Sequence, residues 1–214
     1  GKFDITVAPL SDLWDFKSED ASVPDSDDIA EALSKVGADQ LSLSGNTLTF
    51  ASDDVMIDLG ALVKGFAADQ MKIYLTENGV TSGLLNLGGN VLTIGSRPDG
   101  SDWTIGIQKP FDDNDPIIDV VKVKDQTVVS SGIYERYFKQ DGVIYHHILD
   151  PDTGYPIQND LWGVSIICDS SLTGDALSTT CMTLGYEKAN DLIQSLDQTE
   201  AEFILDDCKL KKTF

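Results

Sequence analysis

The 214-residue chain is 41% hydrophobic, enough for a sizeable core in one large domain or two intimately packed ones. Its 15 Lys and Arg stand against 36 Asp and Glu, a formal charge of −21, which excludes nucleic-acid binding as its main role and disfavours contact with anionic membranes. No run of about 18 apolar residues marks a spanning helix, and Cys168, Cys181 and Cys208 contain no CxxC pair, which argues for reduced structural thiols over a disulfide scaffold.

In chain order, residues 3–7 predict a short strand, and Pro9 opens a helical turn with Leu10, Leu13 and Trp14 on one face. An acidic loop over 17–28 precedes a helix at 29–36. Residues 41–44 and 47–50 alternate about Gly45-Asn46, a hairpin signal. Residues 56–58 predict a brief buried strand. The longest helical pattern covers 60–78, with Leu62, Phe66, Met71 and Leu75 as core candidates and Gly79 as its stop signal. Strands are predicted through 84–85, 91–94, 103–107, 117–123, 128–129, 143–148 and 164–168, with an exposed acidic loop at 112–116. Helices at 172–184 and 187–196 and a strand at 202–205 complete a strand-rich α+β chain with no internal repeat.

Four passages bear on chemistry. In Asp58-Leu-Gly60-Ala61-Leu-Val-Lys64-Gly65 a turn feeds a helix whose first amides, with Lys64, suit an anion; an ordinary turn into a core helix explains the same residues. Asn86-Leu-Gly88-Gly89-Asn90 allows positive φ or close approach of a ligand, and equally a plain β-turn. Ser130-Ser131-Gly132 leads through Arg136 to His146-His147, the only two histidines, followed by the turn-forming Asp150-Pro-Asp-Thr-Gly154. Adjacent histidines in a strand point to opposite faces, so one faces a site while its neighbour is structural or exposed. In Gly174-Asp175-Ala-Leu-Ser178-Thr179, Asp175 and Thr179 share a helix face. Their oxygens suit Mg²⁺ or Ca²⁺, although a hydrogen bond or a helix cap would use the same pair.

These passages, in this order, resemble the ApbE family of FAD:protein FMN transferases. The resemblance begins at Gly1-Lys-Phe-Asp-Ile-Thr-Val-Ala-Pro-Leu10 and runs through Asp58 to Gly65, Leu85 to Asn90, Val129 to Arg136, His146 to Gly154 and Gly174 to Thr179. It implies an α+β, T-fold-like architecture with antiparallel-rich sheets, flanking helices and a cleft between two intimately packed, non-contiguous lobes of a single catalytic domain. The implied activity is Mg²⁺-dependent transfer of FMN from FAD to a Ser or Thr hydroxyl of an acceptor flavoprotein, with release of AMP. The implied acceptors are subunits of a sodium-pumping quinone reductase or a related electron-transfer complex.

By motif position the resemblance makes Asp175 and Thr179 side-chain metal ligands, and Ala61 and Ser178 backbone-carbonyl ligands. His147 becomes the base for the acceptor hydroxyl, with Asp175 as its catalytic companion. Asp58, Lys64, Asn86, Gly88, Gly89, Asn90, Ser131, Gly132 and Arg136 become the cofactor-binding set. An extracytoplasmic, membrane-associated location through a lipid anchor outside this chain is implied as well. The chain starts where the Phe-Asp-Ile-Thr-Val motif already stands, whereas typical family members carry a preceding segment, so either a short subtype or a chain from which residues were removed is expected. Two rival functions therefore stay open: a metal-dependent FAD pyrophosphatase and a non-catalytic FAD-binding protein.

Overall fold

A computed structural model describes residues 1–18, 20–112 and 114–214. The loops predicted at 17–28 and 112–116 include Glu19 and Asp113, and at those two positions the expectation lies outside the described residues. In chain order the elements are α1 (Ala8–Trp14), α2 (Ser26–Leu33), a 3₁₀ turn (Ala38–Gln40), β1 (Leu41–Ser44), β2 (Thr47–Phe50) and α3 (Val63–Glu77). There follow β3 (Gly83–Asn86), β4 (Asn90–Ile94), β5 (Trp103–Gln108), β6 (Ile117–Val123), β7 (Thr127–Gly132), β8 (Tyr137–Gln140) and β9 (Val143–His146). Last come β10 (Leu161–Cys168), α4 (Ser171–Leu184), α5 (Tyr186–Gln194), β11 (Glu200–Leu205) and β12 (Leu210–Lys212). The paired strands are antiparallel, so the fold is α+β.

The described chain divides into two compact units, Gly1–Leu59 with Ile133–Asn159 and Gly60–Gly132 with Asp160–Phe214. In the first, Leu10 and Trp14 of α1 pack with Ile29 and Ala32 of α2 and with Leu149. The Trp14 ring stacks on Phe16 and Tyr145, and its Nε1 donates to the Gly154 carbonyl at 2.8 Å. Gly154 has φ +77°, and a Cβ there would stand 2.8 Å from Ile29 Cγ2, so no larger residue fits. The predicted strand at 3–7 is absent. Asp4 Oδ1 instead accepts from the Thr6 amide and hydroxyl at 2.9 and 2.6 Å, and this local bonding replaces a ladder on the way into α1. Residues 56–58 form no strand either, and Met56 is exposed. Helix α2 starts three residues earlier than expected because Asp25 caps it through the Asp27 amide.

The second unit is built on a six-stranded sheet ordered β12-β11-β10-β7-β4-β3. Val128 and Val129 of β7 point to opposite faces and define two layers. Val128, with Ile167 and Ile204, packs under the β5–β6 hairpin through Ile107, Val121 and Val123. Val129 meets α4, where a Cβ on Gly174 would come 2.7 Å from Val129 Cγ2. Burial pushes the thiols of Cys168 and Cys181 up to about 12, in keeping with inert core thiols.

Helix α3 corrects the sequence expectation in part: Leu75 packs on the cluster of Ala68, Leu92 and Ile94, but Phe66 and Met71 do not face the core. Its buried residues are Gly65 and Ala68, while Phe66 is 53% and Met71 41% exposed. The small residues form the packed face because they let backbones approach: a Cβ on Gly65 would stand 2.2 Å from the Ser171 carbonyl oxygen.

Candidate active site

Helix α4 starts at the N-cap Ser170, whose hydroxyl accepts from the Thr173 amide at 3.3 Å. One turn in, Asp175 is only 4% exposed. Its Oδ2 accepts the Gly65 N–H at 2.5 Å and its Oδ1 accepts Asn90 Nδ2 at 3.0 Å. Gly65 lies in the first turn of α3, where backbone amides have no intrahelical acceptor, so the carboxylate satisfies a donor the helix cannot. Among the described residues Asp175 forms no ion pair; its charge is held by neutral dipoles alone. Such a charge is costly to bury, and a cation would relieve that cost.

The surroundings are oxygen-rich. Ser178 Oγ donates to the Asp175 carbonyl at 3.1 Å and lies 2.8 Å from Ser131 Oγ on β7. Thr179 stands one helical turn beyond Asp175 on the same face of α4, and Ala61 lies in the turn that enters α3. Among the described residues no group of three or more His, Cys, Asp or Glu could hold a metal. One carboxylate with hydroxyl and carbonyl oxygens is instead a donor set that suits Mg²⁺, which retains water or phosphate oxygens in its shell. The residues present fit such an ion.

The Asn86–Asn90 passage is a turn with two successive left-handed residues, Gly88 at φ +65° and Gly89 at φ +76°. Asn86 Oδ1 accepts the Gly88 amide at 3.1 Å, and the Gly89 carbonyl accepts the Ser130 amide at 2.7 Å. Lys64 Nζ donates to the Gly88 carbonyl at 2.7 Å, which ties the α3 start to this turn. Asn90 is fully buried, with Nδ2 toward Asp175 and Oδ1 accepting from Ser171 Oγ at 2.7 Å. Gly132 ends β7, paired with Gly163.

Asp58, Arg136 and His147 belong to the other unit. His146 is the structural histidine: its Nε2 lies 2.9 Å from the Ile157 carbonyl, and its Nδ1 accepts the Ile148 amide. Burial lowers it to about 4, with the Ile157 carbonyl opposing, so it stays neutral at pH 7. His147 is half-buried, and its Nδ1 stands 3.3 Å from the Arg136 carbonyl. A proton on Nδ1 in that bond puts the basic lone pair on Nε2. The Asp58 amide donates to the Ile5 carbonyl at 2.7 Å.

The second unit is thus an antiparallel sheet and helix scaffold that holds one buried carboxylate among hydroxyls, beside a glycine turn at a helix start. The ApbE family pattern matches residues 1–203, and the chain belongs to that family. A Klebsiella pneumoniae FAD:protein FMN transferase is 39% identical over 204 residues, covering 94% of this chain and 63% of that protein. One from Treponema pallidum is 36% identical over 226 residues, covering 99% and 62%. The chain therefore spans about six tenths of the length of these curated relatives. Among solved structures, an ApbE protein from Thermotoga maritima superposes with a TM-score of 0.88 at 33% identity, covering 99% of this chain and 70% of that one. The flavin transferase ApbE of Vibrio cholerae gives 0.86 at 31% identity, covering 99% and 68%.

Proposed function

We propose that this chain is the catalytic part of an FAD:protein FMN transferase. The observation that carries this reading is the buried Asp175 carboxylate, held by neutral donors at the meeting of α3 and α4 within the family's motif. Asp175 and Thr179 side chains, with the Ala61 and Ser178 carbonyls, hold Mg²⁺. When bound, the ion supplies charge neutralisation at the FAD pyrophosphate. The Gly88–Gly89 turn and Lys64 receive the nucleotide, with Asn86, Ser131 and Arg136 contributing to its binding. The acceptor's Ser or Thr oxygen attacks the FMN phosphorus, the bond to the AMP oxygen breaks, and AMP leaves. The hydroxyl proton passes to His147 Nε2. The acceptor is a flavoprotein, and the proposed location is extracytoplasmic and membrane-associated.

AMP release from FAD, measured with Mg²⁺ and then with excess chelator, tests the cleavage without a choice of acceptor. A mass gain of one FMN on a candidate acceptor, lost in His147→Ala, separates transfer from hydrolysis. Metal-independent AMP release, or unchanged release in Asp175→Ala, would overturn the reading.

A further inference from the structure

Asp69 sits in the middle of α3, one turn beyond Gly65, where the sequence gives no sign of a role. Its half-buried carboxylate accepts three hydrogen bonds from the start of α4. The Ser171 amide reaches Oδ1 at 2.8 Å, the Leu172 amide reaches Oδ2 at 3.0 Å, and the Ser170 hydroxyl reaches Oδ2 at 2.9 Å. Both amides are among those a helix leaves without partners, and the negative charge also suits the helix's positive end. Yet α4 already has its own cap in Ser170, so Asp69 is not needed merely to start that helix. What Asp69 adds is a tie to α3. One turn back along α3, the Gly65 amide reaches Asp175, and the absent Cβ of Gly65 makes room for the Ser171 carbonyl. The two helices are therefore pinned at two polar points a single turn apart.

We propose that Asp69 is a positioning residue for the cation site. By gripping the first turn of α4 from α3, it fixes how far α4 slides and rotates, and so where Asp175 and Thr179 present their oxygens. This rests on the reading of Asp175 and Thr179 as cation ligands. Asp69 itself touches neither cation nor substrate and bonds none of the ligands directly. It acts through the placement of α4, so the effect of its loss is expected to fall at or below the low end of the about 10–100-fold range seen for groups bonded to ligands.

The test is Mn²⁺ binding to the purified chain, followed by electron paramagnetic resonance, with only the Mn²⁺ lost in Asp175→Ala counted. Hydrogen exchange at the Gly65 amide and the thermal midpoint are measured alongside. Asp69→Asn is expected to weaken Mn²⁺ binding by up to about 10-fold and to speed exchange at Gly65, with Asp69→Glu restoring part of both. Should Asp69→Asn fail to fold, Asp69→Glu carries the test, with weaker Mn²⁺ binding expected at an unchanged thermal midpoint. Unchanged Mn²⁺ affinity in a folded Asp69 variant, with or without a lowered midpoint, would make the residue a plain cap and overturn the proposal alone. Wild-type chain with no Asp175-dependent Mn²⁺ would overturn the cation reading and this proposal with it.

Discussion

Among the described residues two carboxylates are buried in the second unit, on opposite sides of one sheet. Asp175, on α4, is held by an amide and an Asn side chain and pairs with no cation among the described residues. Glu202, on β11, is 0% exposed and has the reverse arrangement. Lys212 Nζ stands 2.8 Å from its Oε1 and also pairs with Asp119 of β6, while neither Glu202 oxygen receives a hydrogen bond of good geometry among the described residues. Burial pushes the Glu202 carboxyl above its usual range, with Lys212 opposing and Asp119 adding to the push. One acid faces its own positive charge and few donors; the other faces donors and, among the described residues, no positive charge. A buried acid points to a ligand only where no internal counterion faces it.

This contrast can be broken experimentally, and the largest effect is expected at Asp175, the acid proposed to face a ligand. Asp175→Ala should abolish Mg²⁺-stimulated AMP release from FAD in a steady-state assay. Gly65→Ala should follow, since its Cβ would meet backbone at 2.2 Å; urea unfolding should show a loss of about 3 kcal/mol from overpacking. Lys212→Met strips Glu202 and Asp119 of their shared cation and should cost about 2 kcal/mol by the same measurement, reduced from the fully buried case because Lys212 is partly exposed.

Glu202→Gln should have the smallest effect and the most telling sign. The native state holds the Glu202 proton more tightly than the unfolded chain, whose carboxyl titrates near 4.5. Wild-type stability therefore falls as pH rises above that value, up to the native pKa. The variant lacks this loss, so it should gain about 1 kcal/mol at pH 7–8 and nothing at pH 4. His146 works the other way: lowered to about 4, it leaves the unfolded chain to take up the proton first. Stability is thus lost as pH falls from about 6.5, a slope shared by wild type and variant that cancels in their difference.

Local features were legible in the sequence. The hairpin at 41–44 and 47–50 matched to the residue, because alternation and a Gly45-Asn46 turn need only near neighbours. The histidine pair also divides, His146 inward and His147 half-buried, although β9 ends at His146 rather than running on to 148, so His147 lies beyond the strand. Bonds across long stretches were not legible. The Asp175 contacts span 110 residues to Gly65 and 85 to Asn90, and no periodicity reports them. Asp69 was missed for the same reason, since its partners lie on another helix. On α3 Phe66 and Met71 are exposed despite their size, whereas Leu75 packs with Ala68 against Leu92 and Ile94, and close approach of α4 selects Gly65. Strands β8 and β12 escaped because Tyr137–Gln140 is largely polar and Leu210–Lys212 is short and basic. The family resemblance, carried by ordered motifs, named candidate ligands that spacing alone left ambiguous.

The interleaving of the two units has a consequence for how the chain is made. Strand β10 sits between β7 and β11 in the sheet, yet residues 133–159, which complete the first unit, are synthesised between β7 and β10. As the chain leaves the ribosome, β3, β4 and β7 must wait with one edge open until β10 emerges. The first unit can close before the second has its central strand. Asp175 follows β10 by only a few residues, so the carboxylate meets Gly65 and Asn90 late, after a long loop has been closed. Closure around Asp175 therefore waits on β10, and a nascent chain with residues 1–159 outside the ribosome exit tunnel and β10 still inside it should display a protease-resistant first unit beside a digestible remainder.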